Sequence, residues 1–408
     1  MSVTEKSGFL PSGTATVDES GSMTRQRNLS AIASTLREHR LGTVSAGVAI
    51  VWLAFWTANS TFLGVQNLWN MSVQIVPVGL LALGLVFVLV VGEIDLSNAA
   101  LSGVVATIAA RITVDGGHPL YVAIIVAVLA AVAFMVLQAV IVVAGVPSLI
   151  VTLGGMIALA GALLTALPST FAVNVAGTTF GNVGDYAFPA YAGWVIGTLM
   201  AASFGAIIVQ SHRRASHQSS SRSRTVLTVA KCIAMLLLVT VAVEVFNRGG
   251  GLPLSVLVFV ALLIGANWFL RNTSYGVHLY AVGDNRDAAR RAGIRVKSIV
   301  VLSFAVLGVC AALSGLFSAA YVGGVSAASG PSSLVLDAIA AVVIGGVSLT
   351  GGKGSAFGAL VGAVLIGSIA DGVVLLGLAT QVQDYVTAGM LVLAVSVDSF
   401  SFKKLFRK

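Results

Sequence analysis

The sequence predicts an all-α, polytopic integral membrane protein with about 10–12 transmembrane helices, some of them broken or re-entrant. Three observations predict it. Of 408 residues, 57% are hydrophobic and only 9% are charged, whereas a soluble domain carries about 25% charged residues. The apolar residues come in runs near the roughly 20 residues needed to cross a bilayer. The basic residues are confined to a few polar segments between those runs, as they are in membrane proteins oriented by their cytoplasmic loops.

Taken in order, residues 1–42 are rich in Ser, Thr, Gly and charge, and are expected to form a disordered cytoplasmic tail. No apolar run lies close enough to residue 1 to read as a cleavable secretory signal. Twelve apolar stretches follow, at 43–59, 68–91, 96–112, 120–144, 147–166, 190–209, 226–246, 252–270, 299–320, 334–350, 355–377 and 382–397. The shorter, Gly-rich ones, above all 334–350, are candidates for half-helices or re-entrant segments. Gly354, Gly358 and Gly362 repeat at four-residue spacing, which lets helix backbones approach closely, and are assigned to packing.

Nineteen of the 23 Lys and Arg fall in 1–42, 211–224, 271–298 and 398–408. With the N-terminus inside, all four segments are cytoplasmic, Lys231 and Lys353 lie at the inner side, and only Arg111 and Arg248 lie outside. The net charge of +8 therefore reflects loops near anionic lipid, not a nucleic-acid groove. Cys232 and Cys310 sit inside apolar runs and read as small buried side chains. The five histidines, His39, His118, His212, His217 and His278, lie in or beside connections, and no His/Cys/carboxylate cluster has metal-ligand spacing.

Two carboxylates interrupt the apolar sequence at Val91-Gly92-Glu93-Ile94-Asp95-Leu96-Ser97-Asn98. An ionised carboxylate at mid-bilayer costs about 2.5–3.5 kcal/mol even on insertion scales. Two readings stay open here: a broken helix facing a hydrophilic pathway, or a short cytoplasmic turn whose acids face water. Ile344-Gly345-Gly346-Val347-Ser348-Leu349-Thr350 echoes this run, with Gly345 aligned on Gly92, as repeated halves of a transporter do. Thr350-Gly351-Gly352-Lys353-Gly354 invites a phosphate-loop reading and fails it, because Val347 and Gly354 stand where Gly and Ser or Thr are required. In Tyr280–Ser298, Asp284 or Asn285 can cap a short helix that Gly293 ends. Arg290 and Arg291 near its C-terminal end suit the helix dipole.

GEIDLS at 92–97, AVGDNRDAARRAGI at 281–294 and LDAIAAVVIGGVSLTGGKGS at 336–355 resemble the permeases of sugar-importing ATP-binding-cassette transporters, across most of residues 60–398. The pair of segments around 211–224 is similar to an extra pair in the xylose-type subgroup. The resemblance implies a transmembrane permease domain at 43–398, with 211–224 as a basic cytoplasmic loop, 271–298 as a cytoplasmic coupling loop and 399–408 as a basic cytoplasmic tail. It implies a homodimer in the bacterial cytoplasmic membrane with both termini cytoplasmic. It also implies a cassette ATPase below the dimer and an extracytoplasmic sugar-binding protein above. No cofactor belongs to this chain, since ATP and Mg sit on the partner ATPase. Gly283, Asp284, Asn285, Ala288, Ala289 and Gly293 carry over as ATPase contacts, with Arg290 in the same coupling set. Asp95 and Ser97 match a run beside the translocation path, so Glu93, Asp95, Ser97 and Asn98 become the substrate-pathway candidates. Glu93 and Asn98-Ala99-Ala100 depart from the family pattern. An ion-coupled secondary carrier is the alternative. An intramembrane hydrolase fits poorly, because no histidine sits within a span to serve as a base.

Overall fold

In the computed structural model, residues 40–199, 201–202, 205 and 222–403 are described. The N-terminal tail up to residue 39, most of the 211–224 loop and residues 404–408 lie outside the described residues. Among the described residues, each apolar stretch contributes a helix. The order is α1 (Arg40–Ala58), a 3-10 turn, α2 (Val65–Val90), α3 (Asn98–Val114), α4 (Leu120–Val143), α5 (Ser148–Ala166), α6 (Asn182–Asp185), α7 (Ala190–Leu199) and α8 (Arg222–Gly249). Then come α9 (Leu254–Asn272), α10 (Ser274–Asp284), α11 (Arg286–Arg291), α12 (Val296–Val322), α13 (Ser332–Ile344), α14 (Ala356–Leu375) and α15 (Thr380–Lys403). Six of them, α2, α4, α5, α9, α12 and α14, are long and apolar enough to cross a membrane.

α2 and α12 pack against each other at the centre, with α3 and α4 on one flank and α13 and α14 on the other. A helix that is apolar all round is a central one, and α2 buries Leu80, Leu81, Leu85, Val86, Val88 and Leu89 completely. α4 shows how the outer helices are built. Ala123, Ala127, Ala131 and Met135, at four-residue spacing, form a stripe with no exposed surface, while Tyr121, Ile125, Leu129 and Leu137 point outward. Between two lipid-like surfaces the hydrophobic effect offers little, so association rests on close backbone approach and dispersion. A Cβ on Gly308 of α12 would already press on the Ala131 carbonyl oxygen of α4 at 3.0 Å. Gly358 and Gly362 do the same for α13 and α14, a Cβ at Gly358 meeting the Gly345 carbonyl and one at Gly362 the Ala341 carbonyl, whereas Gly354 precedes α14 and a Cβ there would meet only the Val347 and Val90 side chains.

The stretch at 334–350 is the half-helix that its glycines suggest. α13 has 13 residues, about 20 Å at 1.5 Å per residue, against a hydrocarbon core of about 30 Å. The all-α expectation holds with one small addition. β1 (Ala172–Asn174) pairs antiparallel with β4 (Gly324–Ser326), and β2 (Ala187–Phe188) with β3 (Leu252–Pro253). The long 167–189 connection is thus pinned at one end of the molecule by backbone hydrogen bonds to two later connections, which hydropathy alone does not reveal.

Candidate functional site

At the opposite end from these strands, α2 and α13 terminate in the same way. Val91 caps α2, Gly92 turns into the left-handed region at φ 84°, and the Glu93 amide returns to the Val88 carbonyl at 3.0 Å. Gly345 caps α13, Gly346 turns at φ 93°, and the Val347 amide returns to the Val342 carbonyl at 3.1 Å. These are paired Schellman endings, which glycine permits because it has no Cβ to clash at positive φ. They correct the alignment read from the sequence echo: Gly92 is the counterpart of Gly346, not Gly345. The seven-residue match is one position out of register with the backbone.

Beyond Gly92 the chain is irregular, bending at Leu96 and turning at Ser97 (φ −92°, ψ −12°) into α3. Asp95 is wholly buried, and its carboxylate accepts from the backbone amides of Ser97 at 3.0 Å and Asn98 at 2.8 Å. Ser97 Oγ lies 3.0 Å from Asp95 Oδ2 and 3.1 Å from Gln138 Oε1 of α4, and Asn98 Nδ2 donates to Asp95 Oδ1 at 3.1 Å. The Ile94 amide donates to Ser148 Oγ of α5 at 3.3 Å. Asp95 therefore satisfies the orphan amides at the start of α3, and Ser97 and Asn98 are buried with it. The structure places these three pathway candidates together and bonded to one another, with Asn98 Oδ1 left buried without a partner among the described residues. Gln138 joins the network through Oε1, while its Nε2 is likewise buried without a partner among the described residues. Its signal was legible, since it is the single amide in the 24 otherwise apolar residues of α4.

Glu93 has a different partner. Its carboxylate, buried to 7% exposure, lies 2.6 Å from Arg286 Nη2, the first residue of α11. The same nitrogen donates to the Val91 carbonyl at 3.1 Å, where the C-terminal end of α2 favours positive charge. Arg286 was not among the coupling residues picked from the sequence. One arginine in a run of three carries no mark of which one turns inward.

The segment 271–298 is two helices, where the sequence suggested one. Thr273 caps α10 by accepting from the Gly276 amide at 3.2 Å, and Asn285 caps α11 by accepting from the Ala288 amide at 2.9 Å. Gly283 sits against the end of α2, where a Cβ would fall on the Val90 carbonyl. That carbonyl accepts from the Gly352 amide at 2.9 Å, and Tyr280 Oη donates to the Gly354 carbonyl at 2.8 Å. Burial pushes the Tyr280 phenol above its ordinary pKa, against a lowering pull from Arg271, so it remains a donor at neutral pH. The coupling set thus divides. Gly283 and Ala289, the latter 4% exposed, face the membrane-spanning helices, while Asp284, Asn285, Ala288, Arg290 and Gly293 are exposed. Gly293 ends α11 at φ 83°.

One turn along α3 from Asn98, an open cavity of about 510 Å³ lies between α3, α12, β1, β4 and the 328–331 segment that leads into α13. Two further acids lie in apolar helices: Asp371 accepts from Asn67 Nδ2 at 2.7 Å and Glu244 pairs with Arg248 at 2.7 Å.

Residues 67–395 match the family described as branched-chain amino acid transport system / permease component. The xylose transport system permease protein XylH of Haemophilus influenzae is 35% identical over 362 residues, 88% of this chain and 96% of that protein. XylH of Escherichia coli is 33% identical over 357 residues, 87% and 90% respectively. The autoinducer 2 import system permease protein LsrC of Photorhabdus luminescens is 32% identical over 136 residues, 33% of this chain and 40% of that protein. No solved structure matches the chain. A match running from the start of α2 almost to the end of α15, with relatives aligned along nearly their whole length, makes this multi-pass chain a transport permease component of the branched-chain amino acid transport system / permease component family.

Proposed function

We propose that the chain is the membrane-spanning subunit of an ATP-driven importer for xylose or a similar neutral monosaccharide. It works as a homodimer in the bacterial cytoplasmic membrane, with both termini inside. A cassette ATPase docks on the 271–298 side, and a sugar-binding protein delivers the solute from the other. The observation that carries this reading is the seat of α11. It is exposed along Ala288 and Arg290, yet tied through Arg286 to the end of α2, and it follows closely on Gly283 of α10, which sits against the Val90 carbonyl and the Gly352 amide of the segment after α13. A push on α11 therefore reaches the end of α2 and the segment that follows α13 at once. Two relatives that bear the name of xylose permeases and align along most of their length favour the sugar. Sidedness follows from charge. Arg286, Arg290, Arg291, Arg295, Lys297 and Lys353 cluster near the α10–α11 end, while Arg111 lies at the far end, donating to the Ala166 carbonyl at 2.9 Å.

The chain reconstituted in proteoliposomes is expected to take up no sugar until its ATPase and binding protein are supplied. Uptake by the chain alone, abolished by a protonophore, would establish the ion-coupled carrier instead. With Asp371 and Glu244 held by protein partners, Asp337 of α13 and Asp384 of α15 are the further acids such a carrier would draw on.

A further inference from the structure

The cavity beside α3 has no assigned role, and its chemistry is specific. None of its lining residues is charged, and its polar side chains are Ser102, Asn174, Ser318, Ser326 and Ser329. Their hydrogen bonds leave both kinds of capacity unused. Ser102 Oγ donates to the Ala99 carbonyl at 2.7 Å, so its lone pairs remain available to accept. Ser326 and Ser329 each accept from a backbone amide, at 3.3 and 2.9 Å, so their protons remain available to donate. Asn174 accepts through Oδ1 from the Ala176 amide at 2.8 Å, which leaves its Nδ2 as a donor. Between these groups the wall is alanine, valine and glycine. Gly103 and Gly330 bring the 328–331 segment onto the first turns of α3: a Cβ at Gly103 would fall on the Ser329 carbonyl, and one at Gly330 on the Ala99 carbonyl.

We infer that this cavity is a binding site for a neutral polyhydroxylated solute of monosaccharide size, held by Ser102, Asn174, Ser318, Ser326 and Ser329. A sugar hydroxyl both donates and accepts, which matches a wall offering both. A sugar's C–H faces match the alanine and valine patches. A charged analogue would enter with nothing to pair it, at a high desolvation cost. The volume falls within the roughly 300–1,000 Å³ of small-molecule sites. The cavity borders α3 at Ser102, one turn from Asn98, and borders α13 at Pro331. Motion of the two interrupted helices would reshape it. The inference rests on the importer reading and names where in the chain its solute is held.

Ser318 lines the cavity, and among the described residues its hydroxyl makes no hydrogen bond, so Ser318→Cys is the gentlest probe. In a Cys232→Ser background, with Cys310 buried, the introduced thiol is expected to react with a membrane-impermeant methanethiosulfonate reagent. D-xylose, D-ribose or xylitol should slow that reaction several-fold, and D-glucuronate should not. No labelling, or labelling slowed equally by glucuronate or by none of the polyols, would overturn the site. A second arm uses the complete complex with Ala106→Phe, which fills the cavity from α3. Sugar uptake should fall at least tenfold while ATP hydrolysis stimulated by the binding protein persists, and undiminished uptake would overturn the site. Failure of the importer reading looks different: the wild-type complex would take up no monosaccharide at all, whatever the labelling shows.

Discussion

Glu93 and Arg286 are nearly two hundred positions apart in the chain, yet they form a contact on which three elements converge. The carboxylate is almost fully buried and the guanidinium side chain is 43% exposed. Removing the arginine would leave an acid with no counter-charge, whereas removing the acid leaves an arginine that can still reach water and the Val91 carbonyl. Arg286→Ala is therefore expected to cost more than Glu93→Gln, in both thermal stability and sugar-stimulated ATP hydrolysis. The Glu93→Arg/Arg286→Glu pair should recover part of the loss. Equal effects from the two single variants, or no recovery in a double-mutant cycle, would mean the contact is incidental. Asp95 calls for a different measurement. Asp95→Ala removes the cap of α3 and is expected to lower stability by about 1–2 kcal/mol, read as a reduced melting temperature in detergent, with Asp95→Asn retaining most of it. If Asp95→Asn instead kept its melting temperature and lost uptake, the carboxylate would have a role in transport beyond its cap. The polar run 91–98 announced itself in the sequence because carboxylates within apolar stretches demand a partner. What the sequence did not carry was the partner's identity. Asp95 finds its donors within three residues, Glu93 finds its own on a distant helix, and both patterns look the same in one dimension.

Among the elements, α11 is where exposure separates two kinds of residue that the motif presents as equals. Ala288→Asp should leave the permease folded and weaken ATPase docking, seen as several-fold lower stimulated hydrolysis at a normal melting temperature. Ala289→Asp places a charge against the membrane-spanning helices and should lower the melting temperature itself. If both variants behaved alike, the division of the face would be wrong. Gly293→Glu is a poor probe of docking, because φ 83° strains any side chain there whatever it touches. Tyr280→Phe should cost about 1 kcal/mol by deleting the hydrogen bond to the Gly354 carbonyl. Hydropathy located all the long helices, since apolar runs cannot remain in water. It left out α10, whose mixed sequence Ser274–Asp284 has too little periodicity to declare a helix and is held instead by the Thr273 cap and by packing on α2 and α12. Hydropathy also could not settle the register between the two glycine endings. Gly345 and Gly346 are interchangeable in a pattern, and only the hydrogen bonds back to α13 decide which one turns.

At the scale of the whole molecule, the outer helix α4 turns large side chains outward and alanines inward, while the central α2 and α12 bury Leu80, Leu85, Phe87 and Phe304. Gly362→Leu would force α13 and α14 apart at the Ala341 carbonyl. It is expected to reduce the yield of folded protein sharply, since overpacking costs about 1–3 kcal/mol and helix separation adds to it. Leu129→Ala, on the outward face of α4, should be nearly silent in the same assay. Equal tolerance of both changes would invalidate the assigned faces. Reagents confined outside the cell should fail to reach an introduced cysteine at Arg290, and labelling there would invert the topology. The thirteen residues of α13 bear on how the chain is made. A segment that short gains too little from lipid to be retained by the insertion machinery alone. Its backbone end is secured only once α14, which follows it, has brought Gly358 and Gly362 alongside. Synthesis halted soon after Ile344 should accordingly leave α13 unlodged and open to protease, and the segment should become resistant only after the ribosome has delivered the helix that clasps it.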